Sequence, residues 1–122
     1  MAYFDFEPEE RCRPTWAPVL DVSENAAEIV VRVELPDVDK SGIRLAWKND
    51  VLTISGIKQR QPREQGQLRY ICVERQYGPF RRDIAVGAAV DFTKATARLA
   101  NGLLQIRLPK TREMAGDSIP ID

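Results

Sequence analysis

Apolar and polar side chains alternate along much of the middle of this chain, and this period of two constrains the fold more than any other feature. In EIVVRVEL, residues 28–35, every second side chain is apolar and most of those between are charged. Successive side chains of a strand point to opposite faces, so the pattern predicts a strand with one buried face. That face would consist of Ile29, Val31, Val33 and Leu35.

Short turn sequences join two pairs of such segments, which predicts two β-hairpins. IRLAWK and VLTISG flank Asn49-Asp50, and KATARL and LLQIRLP flank Asn101-Gly102. Asn-Gly is a strong hairpin signal because both residues adopt positive φ readily. No stretch long enough for a helix has a period of 3.6 residues. We therefore predict an all-β fold, an immunoglobulin-like antiparallel β-sandwich.

Between the two hairpins lies a polar stretch that we predict to be a long loop. IKQRQPREQGQLR contains a proline and a glycine and is longer than a simple connection requires. It is followed by YICVERQY and FRRDIAV, which both have a strand-like composition.

The composition indicates one folded domain. The 122 residues are 43% hydrophobic and 30% charged, and their formal net charge is zero. A neutral balance is atypical of nucleic-acid binding. Cys12 and Cys72 lie far apart in sequence, which is typical of a reduced cytoplasmic protein. The first residues are acidic where a signal peptide is basic, and no apolar run reaches membrane length. We therefore expect a cytoplasmic protein with neither nucleic acid nor a membrane as partner.

Residues that could carry catalysis are scarce. The chain has no histidine, and its glycines form no phosphate-binding loop. Asp37 and Asp39 could form an acid-base pair, but beside Pro36 they are more typical of a turn. Cys72, between two apolar residues, is more typical of a structural thiol than of a nucleophile. We therefore predict that the protein is not an enzyme and has no metal or cofactor.

One basic stretch is interleaved with aromatic residues, and that combination is typical of single-strand nucleic-acid binding. Glu64 and Glu74 interrupt it, and acidic residues elsewhere balance its charge. A solvated loop with ion pairs to a partner protein is the favoured interpretation. The stretch contains Lys58, Arg60, Arg63, Arg69, Tyr70, Arg75, Tyr77, Phe80, Arg81 and Arg82.

Both ends of the chain differ from the middle, residues 17–110. Residues 1–16 have no clear period and form a predicted flexible arm, with aromatic side chains at Tyr3, Phe4, Phe6 and Trp16. Residues 111–122 form a predicted tail that is polar until Ile119 and Ile121. These isoleucines project to one side of an extended chain, and Pro120 restricts the backbone, so docking would lose less entropy.

Five stretches, in this order, resemble the small heat-shock proteins, which are built on the α-crystallin domain. VELPDVDKSGIRL resembles their strand, Leu-Pro and turn, and NDVLTISG resembles their Leu-x-Ile-x-Gly strand. ERQYGPFRRDIAV resembles a signature that ends with the family's dimer-interface arginine, here Arg82. ARLANGLLQIRLPK resembles the Ala-x-x-x-Asn-Gly-x-Leu motif followed by Leu-Pro-Lys, and Ile119-Pro120-Ile121 resembles the Ile-x-Ile tail motif.

The resemblance implies an ATP-independent holdase, which binds unfolding client proteins on apolar surface and prevents their aggregation. It also implies that Ile119, Pro120 and Ile121 anchor in a groove on a neighbouring copy and so build oligomers from dimers. An adaptor resembling co-chaperone domains is the alternative, although such a protein needs no self-docking tail. The groove would be formed by Ile43, Leu45, Trp47, Ala95, Ala97 and Leu99.

The resemblance further assigns roles to the long loop and to the arm. About Leu68 to Val73 would form a strand that pairs with the sheet of a partner subunit, and Arg82 would pair with carboxylates nearby. The aromatic residues of the arm would bind clients, although the arm is short for the family. Gly87 stands where the family usually has proline. The predicted dimer interface comprises Leu68, Tyr70, Cys72, Arg75 and Arg82.

Overall fold

The predicted β-sandwich is confirmed by a computed structural model, which describes residues 14–60, 69–87, 90–111 and 121. These residues contain seven strands, two short 3-10 helices (Lys40–Gly42 and Phe92–Lys94) and no α-helix. The strands are β1 (Leu20–Glu24), β2 (Glu28–Glu34), β3 (Ile43–Lys48), β4 (Val51–Lys58), β5 (Gly78–Ala85), β6 (Thr96–Ala100) and β7 (Leu103–Pro109).

The strands form two antiparallel sheets that enclose one core. One sheet has the order β1-β2-β7-β6 and the other β3-β4-β5. In β2, Val31 and Val33 are completely buried, as the alternation predicted. Facing residues from the second sheet complete the core, including Leu52, Ile54 and Phe80.

Both predicted hairpins are confirmed, each with a two-residue turn. Lys48 pairs with Val51, and Ala100 pairs with Leu103, so the turns are Asn49-Asp50 and Asn101-Gly102. Asn49 (φ 55°) and Asn101 (φ 53°) occupy the left-handed region that such turns require. The hairpins fix the register of β3 and β6, each of which lies at an edge of its sheet.

One segment with strand-like composition forms no strand in this chain. Among residues 69–77 the backbone is irregular, and the side chain of Ile71 is 95% exposed. Strands form only where a neighbouring edge completes their hydrogen bonds, and this segment meets no such edge in the part of the chain that the structure describes. The second segment, FRRDIAV, lies mostly in β5, which begins earlier, at Gly78, and ends at Ala85.

The sequence placed Trp16 in the flexible arm, whereas the structure places it against β5. Its ring lies 5.2 Å from that of Phe80, and its Nε1 donates to the oxygen of Gly78 at 3.1 Å. Thr15 donates its backbone N–H to Pro79, and Arg81 donates its own to Trp16. We call residues 14–18 the strap. It belongs to the domain because aromatic packing and backbone hydrogen bonds act together here.

Trp16→Ala is expected to lower the free energy of unfolding by about 2 kcal/mol, since it removes a half-buried ring and a hydrogen bond. Denaturant unfolding measures the change. Tyr3→Ala, a change within the arm, is the control and should alter stability by less than about 0.5 kcal/mol. Equal effects of the two substitutions would contradict the distinction between strap and arm.

Candidate docking groove

One edge of the sandwich is formed by β3 from one sheet and β6 from the other. Each is the last strand of its sheet and has one neighbour among the strands that the structure describes. Trp47 on β3 stacks on Phe92, which precedes β6, with ring centroids 5.4 Å apart and planes at 8°. This stack brings the end of β3 close to the start of β6. We therefore treat β3 and β6 as the two walls of this edge.

The wall from β3 presents core-facing side chains that nevertheless remain exposed. Leu45 pairs with Ile54 and Trp47 pairs with Leu52, and residues paired across a sheet share a face. Ile54 and Leu52 are buried, yet Leu45 is 36% exposed and Trp47 is 51% exposed. The sandwich is therefore open at this edge.

The wall from β6 is apolar and built from small side chains. Ala97 pairs with Ile106 and Leu99 pairs with Leu104, so both face the core. Ala97 is nevertheless exposed, while Leu99 and Ala95 are half-buried against core residues. We call the space between the walls the docking groove; the residues predicted to line it are Ile43, Leu45, Trp47, Ala95, Ala97 and Leu99.

The six predicted residues lie on β3 or on β6 and the residue before it, and the Trp47 stack adds Phe92; that the six line one groove stays a prediction. The sequence analysis did not single out Phe92, although a turn signal precedes it. Asp91 accepts hydrogen bonds from the backbone and hydroxyl of Thr93 and so starts the short helix that aims Phe92 at Trp47.

At the opposite edge of the sandwich, the strap covers β5. Pro18 is completely buried there. Arg82 donates a hydrogen bond from Nη1 to the backbone oxygen of Pro18 at 3.1 Å. Arg82 pairs with Ile54 and is therefore core-facing and half-buried. This hydrogen bond goes to a carbonyl, and the carboxylates that the sequence predicts around Arg82 at a dimer interface stay a prediction.

Other residues of the predicted dimer interface lie in segment 69–77. Tyr70 is 41% exposed, and Cys72 is exposed as a free thiol. Arg75 makes an ion pair with Asp37, which raises the pKa of the guanidinium. Leu68 lies outside the described residues. Most side chains of the segment are therefore exposed, and it is joined to the domain at Arg75 and through Tyr70 and Tyr77, whose rings lie against Arg60.

The free edge of β1 is a second open strand edge. Within the described ranges β1 pairs only with β2, and Val22 is 46% exposed although its register partner Val31 is completely buried. Val19, just before β1, is 63% exposed. An unpaired edge with apolar side chains is a template for another strand.

The two aspartates considered as an acid-base pair lie in a turn and at the start of a short helix. Asp37 has φ 62° in the turn after β2, and Asp39 precedes the first 3-10 helix. Within the described ranges, no three His, Cys, Asp or Glu residues are grouped as metal ligands. The same ranges hold no helix of the length and apolarity that crossing a membrane requires.

Residues of the arm and tail are mostly beyond the part of the chain that the structure describes. Tyr3, Phe4 and Phe6 lie in the undescribed arm, and Ile119 and Pro120 in the undescribed tail. Ile121 is described, and it is 96% exposed.

A two-sheet β-sandwich with one open apolar edge and one free strand edge defines a binding and self-association module. Residues 21–122 match the Hsp20/alpha crystallin family, and the chain belongs to that family. Its members are small heat shock chaperones, which are not enzymes, so membership implies a chaperone role.

Individual proteins that are similar to this chain are also small heat shock proteins. The chain is 36% identical to small heat shock protein C4 of Rickettsia felis over 105 residues, which are 86% of this chain but only 64% of that protein. It therefore spans slightly less than two-thirds of that relative. It superposes on heat shock protein 16.0 from Schizosaccharomyces pombe with a TM-score of 0.71 and 33% identity, covering 87% of this chain and 98% of that one. It also superposes on a small heat-shock protein from Xylella fastidiosa, which is described as having a distinct high order structure. The TM-score is 0.69 and the identity 28%, and the match covers 88% of this chain and 94% of that one.

Proposed function

We propose that this protein is an ATP-independent holdase that binds non-native proteins on apolar surface and assembles through its tail. The observation that carries the proposal is the docking groove, where core-facing Leu45, Trp47 and Ala97 remain exposed while the strap covers the opposite edge. A folded protein normally covers such side chains, so an apolar opening of this kind indicates a binding site.

In this proposal, Ile119 and Ile121 of a neighbouring copy occupy the docking groove. Two isoleucines separated by one residue project to the same side of an extended segment, and the small Ala97 leaves room between the walls. Lys110 holds the start of the tail, since its N–H donates to Ala27 and its Nζ pairs with Glu24 at 2.7 Å. The nine residues from there to Ile119 can extend about 30 Å, which is sufficient to reach another molecule.

Dimers form, in this proposal, when residues 68–73 of one subunit pair with the free edge of β1 in the other. The exposed Ile71 and Val73 would cover the exposed Val19 and Val22, and the backbone of both segments would gain hydrogen bonds. Tyr70, Cys72, Arg75 and Arg82 would then lie at or near the subunit boundary.

Clients, in this proposal, bind to the groove when tails dissociate and to Tyr3, Phe4 and Phe6 of the arm. Binding to non-native states alone lowers their free concentration by mass action and requires no ATP. The free thiol of Cys72 favours a reducing compartment, and we assign the protein to the cytoplasm.

Ala97→Asp is expected to weaken both client capture and tail docking, because a carboxylate would be desolvated in an apolar groove. The measurement is light scattering by a heated model client, without ATP, with and without a molar excess of this protein. Wild type should suppress scattering, and the variant should need several-fold more protein for the same effect.

The matched control is Ala46→Asp, which adds the same charge to the outward face of β3. It should behave as wild type. If the client aggregates equally with and without the wild-type protein, the holdase proposal fails. If the two variants behave alike, the groove is not the client site.

A further inference from the structure

The strap acts as a short extra strand at the edge of the three-stranded sheet. Trp16 forms a parallel bridge with Phe80. The N–H of Thr15 donates to the oxygen of Pro79 at 2.9 Å, and the N–H of Arg81 donates to the oxygen of Trp16 at 3.2 Å. Backbone hydrogen bonds of this kind hold an added strand without reading its sequence. The same groups of β5 would serve any other extended segment.

Two residues of the strap supply the remaining contacts. The Trp16 ring packs against Phe80, and the buried Pro18 accepts a hydrogen bond from Arg82 through its backbone oxygen. The other strap residues are exposed, namely Pro14, Thr15 and Ala17. Every residue has a carbonyl oxygen, so Arg82 selects no particular side chain. The edge therefore requires of an occupant only one large apolar side chain.

The strap covers only the first half of β5. Pro18 has no N–H to donate, so the pairing cannot continue along the strand past Arg81. Residues 82–85 have no backbone partner on this side among the strands that the structure describes. An unpaired edge is a template for another strand. An incoming segment can therefore pair with this open half first and then extend into the half that the strap occupies.

Release of the strap interrupts none of the seven strands. A segment that is tied down by few contacts opens at a lower free energy than the whole domain. A broad depression of about 1000 Å³ lies beside the strap, with Pro14, Pro79 and Arg81 in its wall. The side chains of a second segment would find space there.

We propose that the edge of β5 is an exchange site, at which an extended segment of a non-native protein replaces the strap. Non-native chains expose apolar side chains on extended backbone, which is what this edge accepts. The strap of a second copy fits less well, because only Val19 separates Pro18 from β1 and the whole second domain would have to follow. The choice of non-native protein as occupant rests on the proposed holdase function, whereas the exchange itself does not.

A disulfide that locks the strap tests the exchange in the full chain. Ala17 follows Trp16 and Arg81 follows Phe80, so both side chains lie on the outward face of the parallel pair. Neighbouring strands lie about 4.8 Å apart, which is within the Cα separation that a disulfide spans. Ala17→Cys with Arg81→Cys is made in a chain that also carries Cys12→Ser and Cys72→Ser. Oxidation fixes the strap and reduction frees it, so one sequence supplies both samples.

Photo-crosslinking from the open half of β5 is the readout. Ala85, exposed on the outward face, is replaced by p-benzoylphenylalanine, and the probe is reduced, carboxymethylated α-lactalbumin, which stays unfolded. Irradiation should link this probe to the reduced protein at least fivefold more than to the oxidised protein. Folded α-lactalbumin should link to neither. The same photoreactive residue at Ala46, on the far strand of the sheet, is the positional control and should not respond to the lock.

A second pair of variants, without the lock, separates strap release from general destabilisation. Trp16→Ala should raise linkage at position 85 severalfold, because the strap loses the ring that packs on Phe80. Val33→Ala weakens the core from the other sheet and should leave the linkage unchanged.

Equal linkage in the oxidised and reduced proteins would overturn the exchange site, as would an equal rise with both substitutions. If wild type suppresses client aggregation but the probe is not linked at position 85, the holdase proposal stands and the exchange site falls. If wild type fails to suppress aggregation while linkage still depends on the lock, the holdase proposal fails and the exchange site stands.

Discussion

Ile119→Ala combined with Ile121→Ala is expected to convert higher oligomers into dimers. Burying an isoleucine side chain contributes roughly 1.5–3 kcal/mol, so losing two should weaken each docked tail about 100-fold or more. Strand pairing between subunits is separate from the docking groove, and for that reason the product should be a dimer and not a monomer. Light scattering coupled to size exclusion measures the mass directly.

Asp117→Ala with Ser118→Ala is the matched control, because it changes the same tail without removing an apolar side chain. That variant should keep the wild-type mass. An unchanged mass after both isoleucines are replaced would show that the tail does not hold the assembly together.

Gly56→Ala is expected to lower the free energy of unfolding by about 3 kcal/mol or more, the largest effect of any conservative change we identify. A Cβ at this position of β4 would lie 2.0 Å from the backbone oxygen of Gly42 and 2.7 Å from the ring of Phe80. The Gly42 oxygen belongs to backbone and cannot rotate away, so the sheet itself must shift. Denaturant unfolding should show the loss as a much lower midpoint.

Gly87→Ala provides the comparison, since a Cβ there meets nothing within 4 Å. Gly87 has φ +81°, so the cost should come from backbone strain alone, about 1 kcal/mol. A proline, usual here in the family, could not adopt this φ either. Similar losses at positions 56 and 87 would contradict the steric explanation.

The strands and hairpins could be predicted from the sequence because their causes are local. Alternation places Val31 and Val33 on one face, and Asn101-Gly102 supplies positive φ where the hairpin turns. The two walls of the docking groove were predicted through family resemblance together with this alternation. The exposure of Leu45 and Trp47 adds what the pattern could not give, namely that none of the described strands covers this edge.

The remaining features depend on contacts distant in sequence. Trp16 was assigned to the arm because its neighbours have no period, yet Phe80 and Gly78, more than 60 residues away, hold it. Residues 70–77 have the composition of a strand, but composition cannot supply a neighbouring edge. For the same reason, the sequence could not show that Lys58 and Arg75 both lie near the ring of Tyr77. Lys58 and Tyr77 come together only when β4 pairs with β5.

The most direct measurement uses the fluorescence of Trp47. Trp16→Phe leaves Trp47 as the single tryptophan, and Ile119→Ala with Ile121→Ala removes the competing tail. A peptide of residues 111–122 should then shift the emission to shorter wavelength in a saturable way, since docking would cover the half-exposed indole. The same peptide with alanine at 119 and 121 should give no shift. The native peptide should also give no shift when the protein carries the further substitution Ala97→Asp. Unchanged emission, or equal shifts with both peptides, would contradict the account.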